Sequence, residues 1–261
     1  MFPISDDNPV RRPPIVTWAL IAACVLAFLW QLSLGPLGDQ IIFALGVIPA
    51  SLFGYAELAP EIALVPPWAT VFTSMFLHGG WLHLGGNMLY LWIFGNNVED
   101  SMTRPRYLLF YLLCGVGAAL AQSIYAPQSQ VPMVGASGAI AGVLGSYLIM
   151  HPRANVRVVI IFFVFVRIIN MPAMLVLGAW FVLQILSGAA TPITEEGGGV
   201  AFWAHVGGFV AGMALTPLFK RREVHLLEPA HSTPWEMRPP GRRSHLPEVR
   251  YRPRDRRSPW E

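Results

Sequence analysis

The chain has 261 residues, of which 54% are hydrophobic and 13% are charged, and its formal net charge is +3. Soluble domains carry about 25% charged residues, so this composition, with a mean hydropathy of +0.49, excludes an ordinary soluble globular domain. The hydrophobic residues are grouped in long blocks, which is typical of a protein that crosses a membrane several times.

Six apolar blocks of about membrane-spanning length occur along the chain, and we predict a helix for each of them. The predicted helices cover residues 15–34, 83–101, 107–125, 137–150, 171–187 and 201–219. The first block lacks a small-residue cleavage site of the Ala-x-Ala kind, so we interpret it as a retained helix and not as a signal peptide. The predicted fold class is therefore an all-α polytopic membrane protein, built as a bundle of six transmembrane helices.

The segments outside these helices have three different characters. Residues 35–80 form a long loop with apolar and aromatic content of its own, which we expect to lie in or on the outer leaflet. Residues 156–169 are apolar but contain Arg167, and with the fifth helix they would be too long for a bilayer, so we predict an interfacial or re-entrant approach. Residues 220–261 are rich in proline and arginine and are predicted to be a disordered tail. The expected domains are an N-terminal segment (1–14), the helical domain (15–219) and the tail (220–261).

The charged residues are distributed unevenly over this topology. All 18 lysines and arginines fall on one side of a six-helix arrangement, in the segments before the first helix, after the second and fourth, and after the sixth. The opposite loops carry only acidic residues, namely Asp39, Glu57, Glu61, Glu195 and Glu196. By the positive-inside rule, both termini are expected to be cytoplasmic.

Polar residues inside membrane segments are costly, so each of them is a candidate functional group. They are His83, Asn87, Ser137, Gln184 and His205. Counting from the basic cytoplasmic ends at about 1.5 Å per residue puts Ser137 about 20 Å, His205 about 22 Å and Asn87 about 25 Å from that surface. Three helices therefore bring polar groups to about the same depth.

The positions of small residues indicate how two of these helices pack. Ser137 shares a helix face with Ala141 and Gly145, and His205 shares one with Gly208 and Gly212. Small residues let helix backbones approach closely, which would bring the Ser137 hydroxyl within reach of the His205 imidazole.

This pair allows more than one interpretation. A serine beside a histidine is the arrangement of an activated nucleophile and its base. The same serine also fits a role in close helix packing, and the same histidine fits a structural hydrogen bond or a proton relay. In the first interpretation, His83 and Asn87 share a face of the second helix and could donate hydrogen bonds to a developing oxyanion, together with the backbone N–H of Ser137.

Other chemistries lack the residues that they need. The chain has no HExxH motif and no intramembrane carboxylate that would complete a metal site with His78, His83 or His205, so we expect no metal. An aspartyl protease would need paired intramembrane aspartates, and a small transporter would show inverted repeats and a broken helix pair, none of which we find. Cys24 and Cys114 lie in apolar helices and are predicted to be free thiols that act as small hydrophobic residues.

Three stretches resemble the signature motifs of one family. The segments HGGWLHLGGNMLYLWIFGNNVED (78–100), MVGASGAIAGVLG (133–145) and AHVGGFVAG (204–212) resemble those of the rhomboid intramembrane serine proteases. The resemblance runs in order from about Trp68 to Phe219. It implies a six-helix core, no cofactor, and hydrolysis of a peptide bond in or near the transmembrane segment of a single-pass membrane protein. The expected partners are such substrates and membrane lipid, with neither nucleic acid nor metal, and the expected location is a bacterial inner membrane.

The resemblance also implies roles for individual residues. Ser137 takes the place of the nucleophile and His205 that of the base, while Asn87 and His83 take the oxyanion-stabilising places. A water-filled cavity that opens outward would supply the hydrolytic water. The family uses a Ser–His dyad, which agrees with the lack of an intramembrane aspartate in this sequence.

The sequence departs from the family pattern in two places. Some relatives carry a Trp-Arg pair in the first outer loop, where this chain has Trp68 followed by Ala69. Some also carry an aromatic residue one turn after the serine, against which the histidine packs, where this chain has Ala141. What holds the His205 ring is therefore an open question from the sequence.

The resemblance also implies where a substrate enters the bundle. The fifth helix, with the glycine-rich loop 187–200, resembles the family's gate and cap and is predicted to be the least tightly fastened wall of the bundle.

Some members of the wider superfamily bind or escort membrane proteins without cleaving them. That alternative is less compatible with a chain in which both dyad residues are present.

Overall fold

The computed structural model describes residues 2–162, 165–191 and 200–232 of the chain. In chain order the elements are β1 (Phe2–Asp6), α1 (Ile15–Ser33), α2 (Gly38–Leu45), α3 (Pro49–Leu52), α4 (Pro67–Thr73), α5 (Trp81–Asp100), α6 (Arg104–Tyr125), α7 (Ser137–Met150), β2 (Asn155–Phe162), β3 (Phe165–Pro172), α8 (Ala173–Ala190) and α9 (Phe202–Phe219). The six predicted helices correspond to α1 and α5–α9, and the predicted helical bundle is confirmed.

The long helices differ in how clearly they are membrane spans. Within the described ranges, α1, α6, α8 and α9 are long and apolar enough to cross a membrane. Helix α7 is apolar but has 14 residues, and α5 has 20 residues but includes histidine, asparagine and acidic side chains. Six crossings are consistent with these helices, although four of them meet the length and composition expected of a span.

Helix α7 lies at the centre of the bundle, where α5, α6, α8 and α9 pack around it. Nearly all of its side chains are buried, as expected for a helix that is apolar on every face. Its contact with α9 is so close that a methyl group added at Gly208 would overlap the carbonyl oxygen of Gly138, and one added at Gly212 would overlap that of Gly142. The predicted close approach of these two helices is therefore present. On the α7 side the contact is made by Gly138, Gly142 and Gly145, and of these three Gly145 lies on the predicted face of Ser137 and Ala141.

A small antiparallel sheet, in the order β1-β2-β3, lies at the end of the bundle where α7 ends. Strands β2 and β3 form a hairpin in which Asn155 pairs with Pro172, and β1 pairs with β2 through Phe2 and Val159. The segment 156–169, predicted to be an interfacial or re-entrant approach, is thus a β-hairpin, a local structure that the sequence analysis did not assign. The run is rich in β-branched residues, which favour strands, and a short apolar run cannot be assigned to helix or strand from its periodicity.

Both termini of the described chain are anchored at this end. The hydroxyl of Tyr147 donates to Asp6 Oδ2 at 2.6 Å, and burial raises the pKa of Asp6 to about 7. The backbone N–H groups of Leu227 and Glu228 donate to the carbonyls of Ile149 and Met150, each at 2.8 Å. The first residues of the predicted disordered tail are thus in contact with the bundle, whereas residues 233–261 lie outside the described residues.

Glu99, at the end of α5, holds the beginning of α1. Its carboxylate accepts hydrogen bonds from Val16 N at 3.0 Å, from Thr17 N at 2.8 Å and from Thr17 Oγ1 at 2.9 Å. The first N–H groups of a helix have no partner inside the helix, and a carboxylate there is also favoured by the helix dipole. Glu99 therefore caps α1 from a neighbouring helix. Cys24 and Cys114 are buried free thiols, as predicted.

We expect the substitution Glu99→Gln to lower the free energy of unfolding by about 1.5–3 kcal/mol. Glutamine keeps the size of the side chain, but it removes the charge and turns one acceptor oxygen into a donor that faces the α1 N–H groups. Thermal unfolding in detergent, followed by circular dichroism, measures the change. Glu57→Gln is the matched control because Glu57 is exposed in the loop between α3 and α4, and equal melting temperatures for the two variants would contradict the capping role.

Candidate active site

Ser137 and His205 face each other where α7 and α9 begin. The Ser137 Oγ and the His205 Nε2 are 2.8 Å apart, which is hydrogen-bonding distance. Ser137 is the first residue of α7, and His205 lies in the first turn of α9. The structure thus brings together the two residues that the sequence placed at one depth, and the close α7–α9 contact is what brings them within reach.

The loop before Ser137 is fixed in an unusual conformation. Gly135 has a φ of +127°, a region that favours glycine, and its N–H donates to the carbonyl of Ser74 at 2.9 Å. A Cβ atom at this position would lie 2.7 Å from His83 Nε2. The glycine therefore allows the chain to pass close to His83 just before it enters α7.

The second ring nitrogen of His205 bonds to a residue of α8. His205 Nδ1 lies 2.8 Å from Gln184 Oε1, while the amide nitrogen of Gln184 donates to the carbonyl of Trp180 at 3.4 Å. Because a carbonyl oxygen only accepts, Nδ1 carries the proton and donates it to Gln184. Nε2 is then the unprotonated nitrogen, so it accepts the hydrogen bond from the Ser137 hydroxyl.

An aromatic residue also lies against the His205 ring, although Ala141 cannot provide one. The Trp180 ring is 5.7 Å from it, centroid to centroid, at an angle of 35°. Trp180 and Gln184 are four residues apart on α8 and share a face, so both can reach His205. The sequence identified Gln184 as an intramembrane polar residue but gave it no role, and its spacing from Trp180 was the available signal.

His83 and Asn87 lie beside this pair on α5. Asn87 is 7% exposed, and its Nδ2 is a buried donor without a partner among the described residues. His83 Nδ1 accepts the N–H of Gly79 at 3.3 Å, so its Nε2 carries the proton and is directed towards Gly135. Two N–H donors therefore border the loop that leads to Ser137.

The surroundings of the site favour a negative charge. Helices α5, α7 and α9 all begin here, and the N-terminal end of a helix carries a partial positive charge. His83 is exposed, and Ser137 and His205 are partly exposed, so the site is open at this end of the bundle. Nowhere in residues 2–162, 165–191 and 200–232 do three or more histidine, cysteine or acidic side chains form a group that could hold a metal ion.

His78 supports His83 from the loop before α5. Its ring packs edge-on against the His83 ring at 5.2 Å between centroids, and its side chain is almost fully buried. Burial, with His83 nearby, lowers the pKa of His78 to about 4. His78 is therefore neutral at physiological pH and adds no charge beside His83.

Comparisons with known proteins give matches to one family. The family model "Rhomboid domain" matches residues 66–222. The chain is 34% identical over 136 residues to "Rhomboid protease GluP" of Bacillus subtilis, an alignment that covers 52% of this chain and 24% of the relative. It is 28% identical over 164 residues to "Rhomboid-like protein 11, chloroplastic" of Arabidopsis thaliana, with coverage of 60% and 54%. It is 30% identical over 149 residues to "Rhomboid protein 1, mitochondrial" of Saccharomyces cerevisiae, with coverage of 55% and 40%. The chain thus spans from about a quarter to about half of the length of these relatives.

Proposed function

This chain belongs to the rhomboid family, an integral membrane family whose members are generally serine proteases, and from this membership we propose that it is an active intramembrane endopeptidase. Its substrates are single-pass membrane proteins, which it cleaves in or near their transmembrane segments. Because some members of the family are inactive, the proposal depends on one observation in particular. This is the 2.8 Å contact between Ser137 Oγ and the unprotonated Nε2 of His205.

The reaction follows from the positions of these two groups. Ser137 Oγ attacks the carbonyl carbon of the scissile bond, and its proton passes to His205 Nε2. When the tetrahedral intermediate collapses, the C–N bond breaks and His205 gives the proton to the leaving amine. Water then attacks the acyl ester with His205 as the base, which releases the new carboxyl group and restores the Ser137 hydroxyl. The direct test is cleavage of a single-span substrate by the purified protein, in parallel with Ser137→Ala.

The negative charge of the tetrahedral intermediate requires donors beside Ser137. We assign this role to Asn87 Nδ2, to His83 Nε2–H and to the backbone N–H of Ser137. The orphaned donor of Asn87 supports the assignment, because buried polar groups normally have hydrogen-bond partners. A donor that gains its partner only when the oxyanion forms stabilises the transition state more than the ground state.

Removing the amide of Asn87 is expected to slow turnover and to leave substrate binding almost unchanged. We expect Asn87→Ala to lower kcat by about 10²–10³-fold with little change in KM, because the lost interaction exists only in the transition state. Steady-state cleavage of a single-span substrate in detergent measures both constants. Asn96→Ala, an identical change at the other end of α5, is the matched control. A wild-type kcat for Asn87→Ala would contradict the role of Asn87 in stabilising the oxyanion.

We place the protease in the membrane with both termini in the cytoplasm. Arg104, Arg153 and Lys220 all lie at the end of the bundle opposite the site, and the positive-inside rule puts that end in the cytoplasm. The protease domain is then 15–219, between the N-terminal segment 1–14 and the basic tail 220–261. A bacterial inner membrane is the proposed location, although the relatives include chloroplast and mitochondrial proteins.

A further inference from the structure

Two side chains of α8 hold the His205 ring. Gln184 Oε1 accepts from Nδ1 at 2.8 Å, and the Trp180 ring lies 5.7 Å away between centroids. We infer that Gln184 is a positioning residue, the third member of a Ser137–His205–Gln184 arrangement, which sets the tautomer and the direction of the catalytic imidazole. This inference rests on the proposed protease function.

The chemistry of the amide explains why a glutamine is suitable here. Its oxygen accepts a hydrogen bond from Nδ1–H, which leaves Nε2 free to accept the proton of Ser137. The amide cannot rotate to present its nitrogen without losing its bond to the Trp180 carbonyl. A hydrogen bond from the other ring nitrogen is the usual means by which a protein selects one histidine tautomer.

The position of Gln184 in its helix points to the same role. Helix α8 has the sequence AMLVLGAWFVLQILSGAA, in which Gln184 is the sole polar residue before Ser187. A polar side chain in such a helix is costly unless it has a partner. Gln184 is partly buried, its neighbours Leu183 and Ile185 are exposed, and its amide oxygen meets His205.

The turn of α8 that carries Gln184 is itself held against α9. The Phe181 ring stacks on the Phe209 ring at 4.3 Å between centroids and 17° between planes. Phe209 is four residues after His205, so this contact fixes α8 one turn below the imidazole. Helix α8 is therefore packed in the register that brings Gln184 to Nδ1.

The test compares Gln184→Leu with Gln184→Glu in the full-length protein. Leucine removes the acceptor, and we expect kcat to fall by about 10²-fold at unchanged KM, since a catalytic group without its orienting partner spends most of its time misplaced. Glutamate restores an acceptor and is expected to keep kcat within about tenfold of the wild type. Because its carboxylate favours the imidazolium, the acid limb of the pH–rate profile should move to higher pH. Among the described residues, His83 of α5 is the titratable side chain that faces His205.

Gln122→Leu is the control for a merely structural effect. The Gln122 side-chain oxygen accepts from Trp203 N at 3.1 Å and from Ala204 N at 3.3 Å, so it holds the first turn of α9 without touching the His205 ring. We expect this variant to lose stability but to keep the wild-type pH–rate profile.

Each outcome supports or contradicts the role proposed for Gln184 in positioning the His205 ring. If Gln184→Leu keeps the wild-type kcat, or if Gln184→Glu leaves the acid limb unmoved, while Ser137→Ala is inactive, Gln184 does not position the histidine and the protease proposal stands. If Ser137→Ala is as active as the wild type, the protease proposal itself fails. If Gln184→Leu does not fold, the shift of the acid limb in Gln184→Glu still tests the inference.

Discussion

Cleavage of a single-span substrate is expected to stop when Ser137 is replaced by alanine, with kcat falling by about 10⁶-fold. The change removes one oxygen atom from a partly exposed side chain, so the fold is not expected to respond. We expect His205→Ala to have a comparable effect, and the double variant to be no slower than either single one, because the two residues act as a unit. The same variants, treated with a fluorophosphonate probe, should show a covalent label on Ser137 in the wild type and none in Ser137→Ala.

Helix α7 offers a closely matched control in Ser146. This hydroxyl is fully buried and accepts a hydrogen bond from Thr216 Oγ1 at 2.7 Å. We expect Ser146→Ala to lose about 1 kcal/mol of stability and to keep both cleavage and labelling. Equal cleavage by the wild type and Ser137→Ala would contradict the mechanism. A well-folded wild type that neither cleaves nor takes the label would place this chain among the inactive members of its family.

The second large effect is expected at the contact between α7 and α9. Gly208→Ala adds a methyl group that would overlap the carbonyl oxygen of Gly138, and a backbone atom cannot move aside as a flexible side chain can. We expect the two helices to separate, with a loss of about 3 kcal/mol of stability. Because His205 lies one turn before Gly208, the separation also pulls the imidazole from Ser137, and a displacement of about 1 Å is expected to reduce kcat by about 10²-fold.

Gly178→Ala is the control for this experiment because it makes the same chemical change in another helix of the bundle. Within the described residues nothing lies within 4 Å of a Cβ atom at Gly178. Alanine favours a helix over glycine by up to about 1 kcal/mol, so this variant should be as stable as the wild type or slightly more stable. Thermal unfolding and cleavage, measured on both variants, test the prediction. If Gly208→Ala has the same melting temperature as Gly178→Ala and cleaves the substrate normally, α7 and α9 are not in contact as described.

The long helices could be predicted from the sequence because their signal is local. Each is a largely apolar block bounded by charges, glycine or proline, and α1, α6, α8 and α9 are also long enough to cross a membrane. Depth could be predicted too, since counting from Arg104, Met150 and Lys220 needs only the rise per residue. The count places Asn87, Ser137 and His205 at about the same level without any knowledge of their contacts.

The β1–β2 pairing and the contact of Gln184 with His205 depend on residues that are distant in the sequence. Strand β1 is defined by its pairing with β2, and residues 2–6 alone show no convincing strand signal. Gln184 was visible as a polar residue in an apolar helix, but its partner depends on how α8 rotates against α9. That rotation is fixed in part by the Phe181–Phe209 stack, which is a matter of packing between distant residues.

The pairing of β1 with β2 has a consequence for how the protein is made. Phe2 pairs with Val159, so β1 emerges from the ribosome more than 150 residues before its partner, which takes about 10–30 s at ordinary rates of synthesis. By then α1, α5, α6 and α7 have all been made. Strand β1 therefore has no partner in the sheet until the central helix is complete, and the sheet can close only after α7 has been made.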